Sequence, residues 1–256
     1  MAKVVSVHSF RGGTGKSNLT ANLATMVARV GNRVGIVDTD IQSPGIHVLF
    51  GLDDQKMGRT LNDYLRGRCA VEDAAIEVSH VFRDNQVSVA PGSALYLIPS
   101  SIKTGEIAQV LREGYDVELL NSGFRDLIKK LNLDYLFLDT HPGLNEETLL
   151  SIAISDVLVL ILRPDRQDFQ GTAVTVDVAR KLEVPKMLLV VNKALVSFDF
   201  DVIKRQVEAT YNATVAQVLP LTEDMLQLAS SDVFSLRYPD HPYTKGVQSI
   251  ADQLLQ

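Results

Sequence analysis

The sequence predicts an α/β protein built on a mainly parallel sheet, and three observations predict it. Tyr135 to Leu138 and Val157 to Leu162 have the unbroken hydrophobicity of strands covered on both faces, and Lys3 to His8 carries Val4, Val5 and Val7 in a short apolar run. Between them, apolar residues recur at helical spacing, the alternation that produces strand–helix–strand crossovers. Several runs end in Asp or Asn, at the edge where open α/β sheets collect their ligands. With 256 residues, 46% hydrophobic and 22% charged, the composition is that of an ordinary globular protein. No linker, internal repeat or low-complexity stretch stands out, so one domain over residues 1–256 is expected.

The first strand, Lys3 to His8, leads into Phe10-Arg11-Gly12-Gly13-Thr14-Gly15-Lys16-Ser17-Asn18. Behind it Leu19, Leu23, Met26, Val27 and Val30 mark a helix. Glycines let successive N–H groups turn toward one anion, and the helix adds the positive end of its dipole. Lys16 would reach the β- and γ-phosphates and Ser17 would hold Mg²⁺, which makes the stretch a nucleoside triphosphate loop. A dinucleotide turn wants a third glycine where Asn18 stands, and leaves Lys16 and Ser17 without use.

The usual phosphate-loop spacing asks for glycine at the position of Phe10, whereas two glycines directly before x-Gly-Lys-Ser fit a variant. The stretch resembles the deviant Walker A box of the ParA/MinD ATPases, with Arg11 where that family carries its signature lysine. The resemblance implies a three-layer α/β/α P-loop fold with a mainly parallel sheet of seven or eight strands, ATP and Mg²⁺ as ligands, and an ATP-dependent homodimer. It also implies that Arg11 crosses the dimer interface as a trans arginine finger. The swap is not conservative, since a guanidinium differs from an ammonium in geometry and reach, and a surface arginine without a catalytic part is the alternative.

The next strand, Arg33 to Val37, delivers Asp38-Thr39-Asp40 at its end, and alternation points both carboxylates the same way. Such a pair also caps turns; its place beside the phosphate loop favours a site. By resemblance it is the switch I box, with Asp40 orienting the attacking water and Asp38 touching the Mg²⁺ shell. Ile46 to Leu52 reads as a helical turn, and Gly58 to Val78 as two short helices covering an edge or meeting a partner. Ala94 to Ile98 is a third strand, followed by helices over Thr104 to Arg112 and Val117 to Leu131. Tyr135 to Leu138 ends in Asp139, the Walker B position, where a carboxylate holds Mg²⁺ through water. Pro142-Gly143 supplies a turn near the γ-phosphate, and His141 beside it reads as a structural neighbour rather than a base.

Asn145, Glu146 and Glu147 start a helix; Ser155 to Leu162 is a strand, and Gln167 to Leu182 a helix with Phe169, Ala173, Val176, Ala179 and Leu182 along one side. Lys186 to Val191 is a strand followed by Asn192-Lys193, which resembles the family's base-reading segment. After the strand Val215 to Leu219, Pro220 and Thr222 lie in a loop like the one that closes over base and ribose. Together they favour adenine and leave guanine open. The last segment, Tyr243 to Leu255, carries Lys245 as its one basic residue, beside Asp252, so it reads as a docking helix rather than a basic membrane anchor.

The formal charge of −6 argues against a basic nucleic-acid clamp but allows a local patch and non-specific DNA binding. No signal peptide or bilayer-length run is present, so a cytoplasmic protein is expected, with nucleoid association as an option. Cys69 is alone, which leaves cysteine-held clusters and zinc clasps without ligands. The resemblance implies slow, partner-stimulated ATP hydrolysis that positions or partitions a cargo through an activating partner or cargo adaptor. Two alternatives stay open: a nucleotide-dependent regulator or scaffold with little hydrolysis, and an ATP-dependent small-molecule synthetase.

Overall fold

The computed structural model describes residues 2–256. In chain order the elements are β1 (Lys3–His8), α1 (Lys16–Arg29), β2 (Arg33–Asp38), α2 (Asp54–Met57), α3 (Leu61–Leu65), β3 (Ile76–Glu77), α4 (His80–Asp84), β4 (Ala94–Ile98), α5 (Thr104–Glu113) and α6 (Val117–Lys130). They continue with β5 (Tyr135–Asp139), α7 (Glu146–Ala153), β6 (Val157–Leu162), α8 (Arg166–Lys181), β7 (Lys186–Ala194), α9 (Phe200–Tyr211), β8 (Val215–Pro220), α10 (Glu223–Leu228), α11 (Phe234–Arg237) and α12 (Pro242–Leu255). The strands form one sheet ordered β3-β4-β2-β5-β1-β6-β7-β8, parallel except for β3, as the mainly parallel pattern requires.

Alternation along the strands divides the core into layers. Tyr135 and Phe137 of β5 join Val5 and Val7 of β1 beneath α1 and α12, where Leu23, Val27, Val247 and Leu254 are buried. Leu136 and Leu138 face the other way, onto Phe124 and Leu127 of α6, and farther along the sheet Leu158 and Leu160 of β6 lie under Val176 of α8 and Val207 of α9. The result is a three-layer α/β/α sandwich. The phosphate-loop strand β1 is central, between β5 and β6.

The expected docking of the last helix holds, with Tyr243, Val247, Ile250 and Leu254 all buried. Its C-terminal carbonyls receive lysines from two strand starts: Lys3 Nζ donates to Leu254 O at 3.1 Å and Lys186 Nζ donates to Gln253 O. Cations at that end also favour the helix dipole.

Four expectations need correction. Of the two short helices expected over Gly58 to Val78, α3 forms and a 3₁₀ turn occupies Val71–Ala74, but Ile76 pairs antiparallel with Leu97 as β3. A two-residue strand leaves no periodicity to read. β6 starts at Val157 rather than Ser155, because Asp156 turns its carboxylate onto the Val4 N–H. β7 runs on through Asn192 and Lys193 instead of stopping at Val191. Ala173 of α8 is exposed, and the inward face is Asp168, Gly171, Thr172, Thr175, Val176 and Ala179. A Cβ on Gly171 would meet Phe10 Cδ1 at 2.0 Å, so this helix turns a glycine, not an apolar side chain, toward the phosphate-loop aromatic.

Candidate functional site

The turn from β1 into α1 is shaped by Gly13 and Gly15, at φ +77° and +95°, a region that costs other residues strain. At Gly15 space matters too, since a Cβ there would come within 2.6 Å of Asn192 Nδ2. Two adjoining cavities meet at Gly15 and Asn18. One, about 390 Å³, is lined by Gly12, Gly13, Thr14, Lys16, Ser17, Asp40 and His141. The other, about 240 Å³, is lined by Asn192, Lys193, Pro220, Thr222 and the apolar Met225 and Leu226. A polar chamber facing a helix N-terminus suits phosphate, and an apolar chamber rimmed by amides suits a base. The residues singled out in the sequence, apart from Arg11, Asp38 and Asp139, line this cleft, which is built at the ends of β1, β2, β5, β7 and β8.

Lys16 lines the phosphate chamber, and Asp139 and Asp38 lie beneath it. Lys16 Nζ is 3.8 Å from Asp139 Oδ1, and both side chains are buried. Thr20 Oγ1 also donates to Asp139 Oδ1, at 3.1 Å. Burial raises the Asp139 pKa while Lys16, Ser17 and Thr20 draw it down. Asp38 sits beside Asp139 across the β2–β5 pairing. Its Oδ1 accepts the Asp40 N–H at 3.0 Å, but its buried Oδ2 has no partner, and burial with the neighbouring Asp139 and Asp40 pushes its pKa well up. An orphaned carboxylate oxygen next to a second carboxylate and the Ser17 hydroxyl fits a hard divalent cation that keeps most of its water.

Asp40 closes the chamber. Its Oδ1 accepts the Ser43 N–H at 3.1 Å and lies 2.8 Å from His141 Nδ1. Nothing in the local sequence ties His141 to chemistry; the fold joins it to Asp40 across the cleft, a pairing that only the closeness of the β2 and β5 ends produces.

Arg11 and Asn192 each hold a partner within the chain. The Arg11 guanidinium leaves the phosphate chamber and lies on the first turn of α8, donating to Gln167 Oε1 and standing 3.9 Å from Asp168 Oδ1. Asp168 is in turn held by the Arg163 N–H, Nε and Nη2. Asn192, expected to read the base, spends one amide N–H on Thr14 O at 2.8 Å. Thr222 lines the base chamber but uses its hydroxyl to cap α10 at the Asp224 N–H.

His8, at the floor of the site, gives no signal in the sequence beyond its place at the end of β1. His8 Nδ1 is hydrogen-bonded with Thr140 Oγ1 at 2.8 Å, the hydroxyl also lies 3.0 Å from Val7 O, and His8 Nε2 is buried without a partner. Burial, reinforced by Lys16 and His141, pushes its pKa down to about 3. Because the unfolded imidazole titrates near 6.5, folding stability from this group is complete above that pH and falls as the pH drops toward 3. Denaturant titrations should show the stability gap between the native chain and His8→Asn narrowing by about 2 kcal/mol between pH 7.5 and 5; an unchanged gap would mean His8 titrates normally.

Comparison with known proteins places this geometry. The chain is similar to an uncharacterized ATP-binding protein of Methanocaldococcus jannaschii, 24% identical over 256 residues, 100% of this chain and 88% of the relative. Its fold is similar to that of the cell division ATPase MinD of Pyrococcus furiosus, with a TM-score of 0.80 at 21% identity, covering 100% of this chain and 99% of the other. The septum site-determining protein MinD of Pyrococcus horikoshii, solved with Mg-ADP, gives 0.79 at 20% identity over 99% and 96% of the two chains. The ParA family, described as NUBPL iron-transfer P-loop NTPase, matches residues 1–255. With its phosphate loop at the head of a central parallel strand, the chain belongs to the ParA family of P-loop NTPases.

Proposed function

We propose that residues 1–256 act as one ParA/MinD-like ATPase unit that dimerises with ATP, hydrolyses it slowly and so times the positioning or partition of a cargo. The observation that carries this reading is the single cleft running from the base chamber, through the glycine loop, to Asp40 and His141. In it Gly12 to Ser17 cradle the phosphates, Lys16 leaves Asp139 for the β- and γ-phosphates, and Asp40 orients the attacking water with His141 holding its carboxylate in place. Ser17 would hold Mg²⁺ directly, and Asp38 and Asp139 would hold it through water; bound there, the ion neutralises charge on the phosphate oxygens. Asn18, Asn192, Lys193, Pro220 and Thr222 frame the base, for which adenine is the reading.

Iron transfer, which the family's description names, finds no ligands within these residues. Clusters are held by several thiolates, and Cys69, the one cysteine, packs beside an apolar cluster where burial raises its pKa. An activating partner or cargo adaptor completes the cycle. DNA is the surface we favour over membrane, because α12 buries its apolar face within the fold.

Solution mass with ADP, ATP and a non-hydrolysable ATP analogue tests the proposal. The expected result is a dimer with the triphosphates alone, weakened at least tenfold by Arg11→Ala if the guanidinium leaves Gln167 and Asp168 for the partner's phosphates, a charged contact worth about 1.5 kcal/mol or more. A mass that ignores nucleotide removes the timer and moves the assignment to an ATP-binding scaffold. A dimer indifferent to Arg11→Ala would leave Arg11 as a bracing residue of α8.

A further inference from the structure

The carbonyl side of the glycine loop is as organised as its N–H side. A loop that converges its N–H groups on an anion turns carbonyls outward, where side-chain donors can fix them. Consecutive residues of β7 supply two: Asn192 Nδ2 donates to Thr14 O and Lys193 Nζ donates to Gly13 O, each at 2.8 Å. On a regular strand neighbours point to opposite faces, so both could not reach one loop. Here the β7–β8 register shifts between Val191 and Ala194, and Lys193 takes φ +59°, left-handed for a residue with a side chain. The backbone irregularity is what brings both donors to the same side. The absent Cβ of Gly15 makes room for the Asn192 amide.

We propose that Asn192 and Lys193 form a brace on the outer side of the phosphate loop, with Lys193 a positioning residue that acts through Gly13 O to hold the loop in its anion-binding shape before nucleotide arrives. This rests on the nucleotide reading above, and it assigns Lys193 to the phosphates through the loop rather than to the base. The Asn192 amide stands on the wall of the base chamber while gripping the loop, so the brace also links the two halves of the cleft. Burial and the nearby Arg163 lower the Lys193 pKa; the brace rests on the contact itself, Lys193 Nζ to Gly13 O.

Lys193→Met, which keeps the stem and removes the donor, tests the brace beside Lys193→Arg, which keeps a donor. The readouts are affinities for ATP, ADP and inorganic tripolyphosphate, and amide hydrogen exchange over residues 12–16 of the unliganded chain. Lys193→Met should weaken all three ligands by a common factor of about ten and speed exchange across the loop, and Lys193→Arg should restore much of both. Loss confined to ATP and ADP, with tripolyphosphate unchanged, would make Lys193 a base contact and overturn the brace. A common loss with unchanged exchange would make it a direct phosphate contact and overturn the brace as well. If the native chain binds none of the three ligands, the nucleotide reading falls, while unchanged exchange in Lys193→Met separately removes the brace.

Discussion

Replacing Asp40 by Ala is expected to lower ATP turnover by about 10²–10⁴-fold, the range for losing a positioned proton acceptor, while ATP binding persists. Asp40 is the carboxylate that lines the phosphate chamber, whereas Asp38 and Asp139 lie beneath it. Its carboxylate is fixed from two sides, by the Ser43 N–H and by His141. The binding groups, Lys16, Ser17 and the loop N–H groups, are untouched by the change. His141→Ala should lose less, about tenfold, because the carboxylate keeps its backbone donor. Phosphate release measured beside calorimetric ATP binding separates the two steps. Unchanged turnover in Asp40→Ala would end its role as the water-orienting residue.

Asp38→Asn should move stability and activity in opposite directions. The Asp38 carboxyl is wholly buried, one oxygen is unpartnered, and Asp139 and Asp40 are close. A folded-state pKa raised in this way gives stability that is present below the unfolded value near 4 and lost as the pH rises through the folded value, so at pH 7 the native side chain is a burden. Asn keeps an acceptor for the Asp40 N–H and sheds the charge. The expected gain without nucleotide or Mg²⁺ is about 1–2 kcal/mol, roughly 2–4 °C in melting temperature per kcal/mol for a chain of this size. The extra stabilisation conferred by Mg-ATP should shrink, and turnover with it. Scanning fluorimetry at pH 7 and pH 5 checks the sign: the advantage of Asp38→Asn should narrow as the pH falls from 7 to 5. A variant less stable than the native chain at pH 7 would show that the charge is already compensated.

The fold is legible wherever burial on two faces makes a strand continuously apolar, as in Tyr135 to Leu138, and wherever a helix turns an apolar stripe inward, as in α6. It is obscured where packing uses something other than hydrophobicity. α8 presents Gly171 and Thr175 to the core because Phe10 fills the space above, and no apolar count shows that. α9 is absent from the expected elements although Phe200, Ile203, Val207 and Tyr211 follow helical spacing behind the cap Asp199. For the site, contiguous signals carry: Gly12 to Ser17, the Asp38–Asp40 pair and Asp139 each follow a strand. Contacts closed by tertiary register do not. Arg11 meets Gln167 across 156 residues of sequence, and Lys193 meets Gly13 across 180. The residue types are visible, but not which atoms they hold.

The lysine clasp on α12 has a kinetic side. Lys3 and Leu254 are 251 residues apart in sequence, and the helix they secure covers α1, which follows directly from the phosphate loop. During synthesis the first strand and helix emerge long before their cover does. Leu23 and Val27 of α1 then wait, exposed, for Val247 and Leu254. Closure of so long a loop comes late, and contacts of such sequence separation slow folding. The nucleotide cleft is therefore expected to become rigid late, once α12 covers the apolar face of α1.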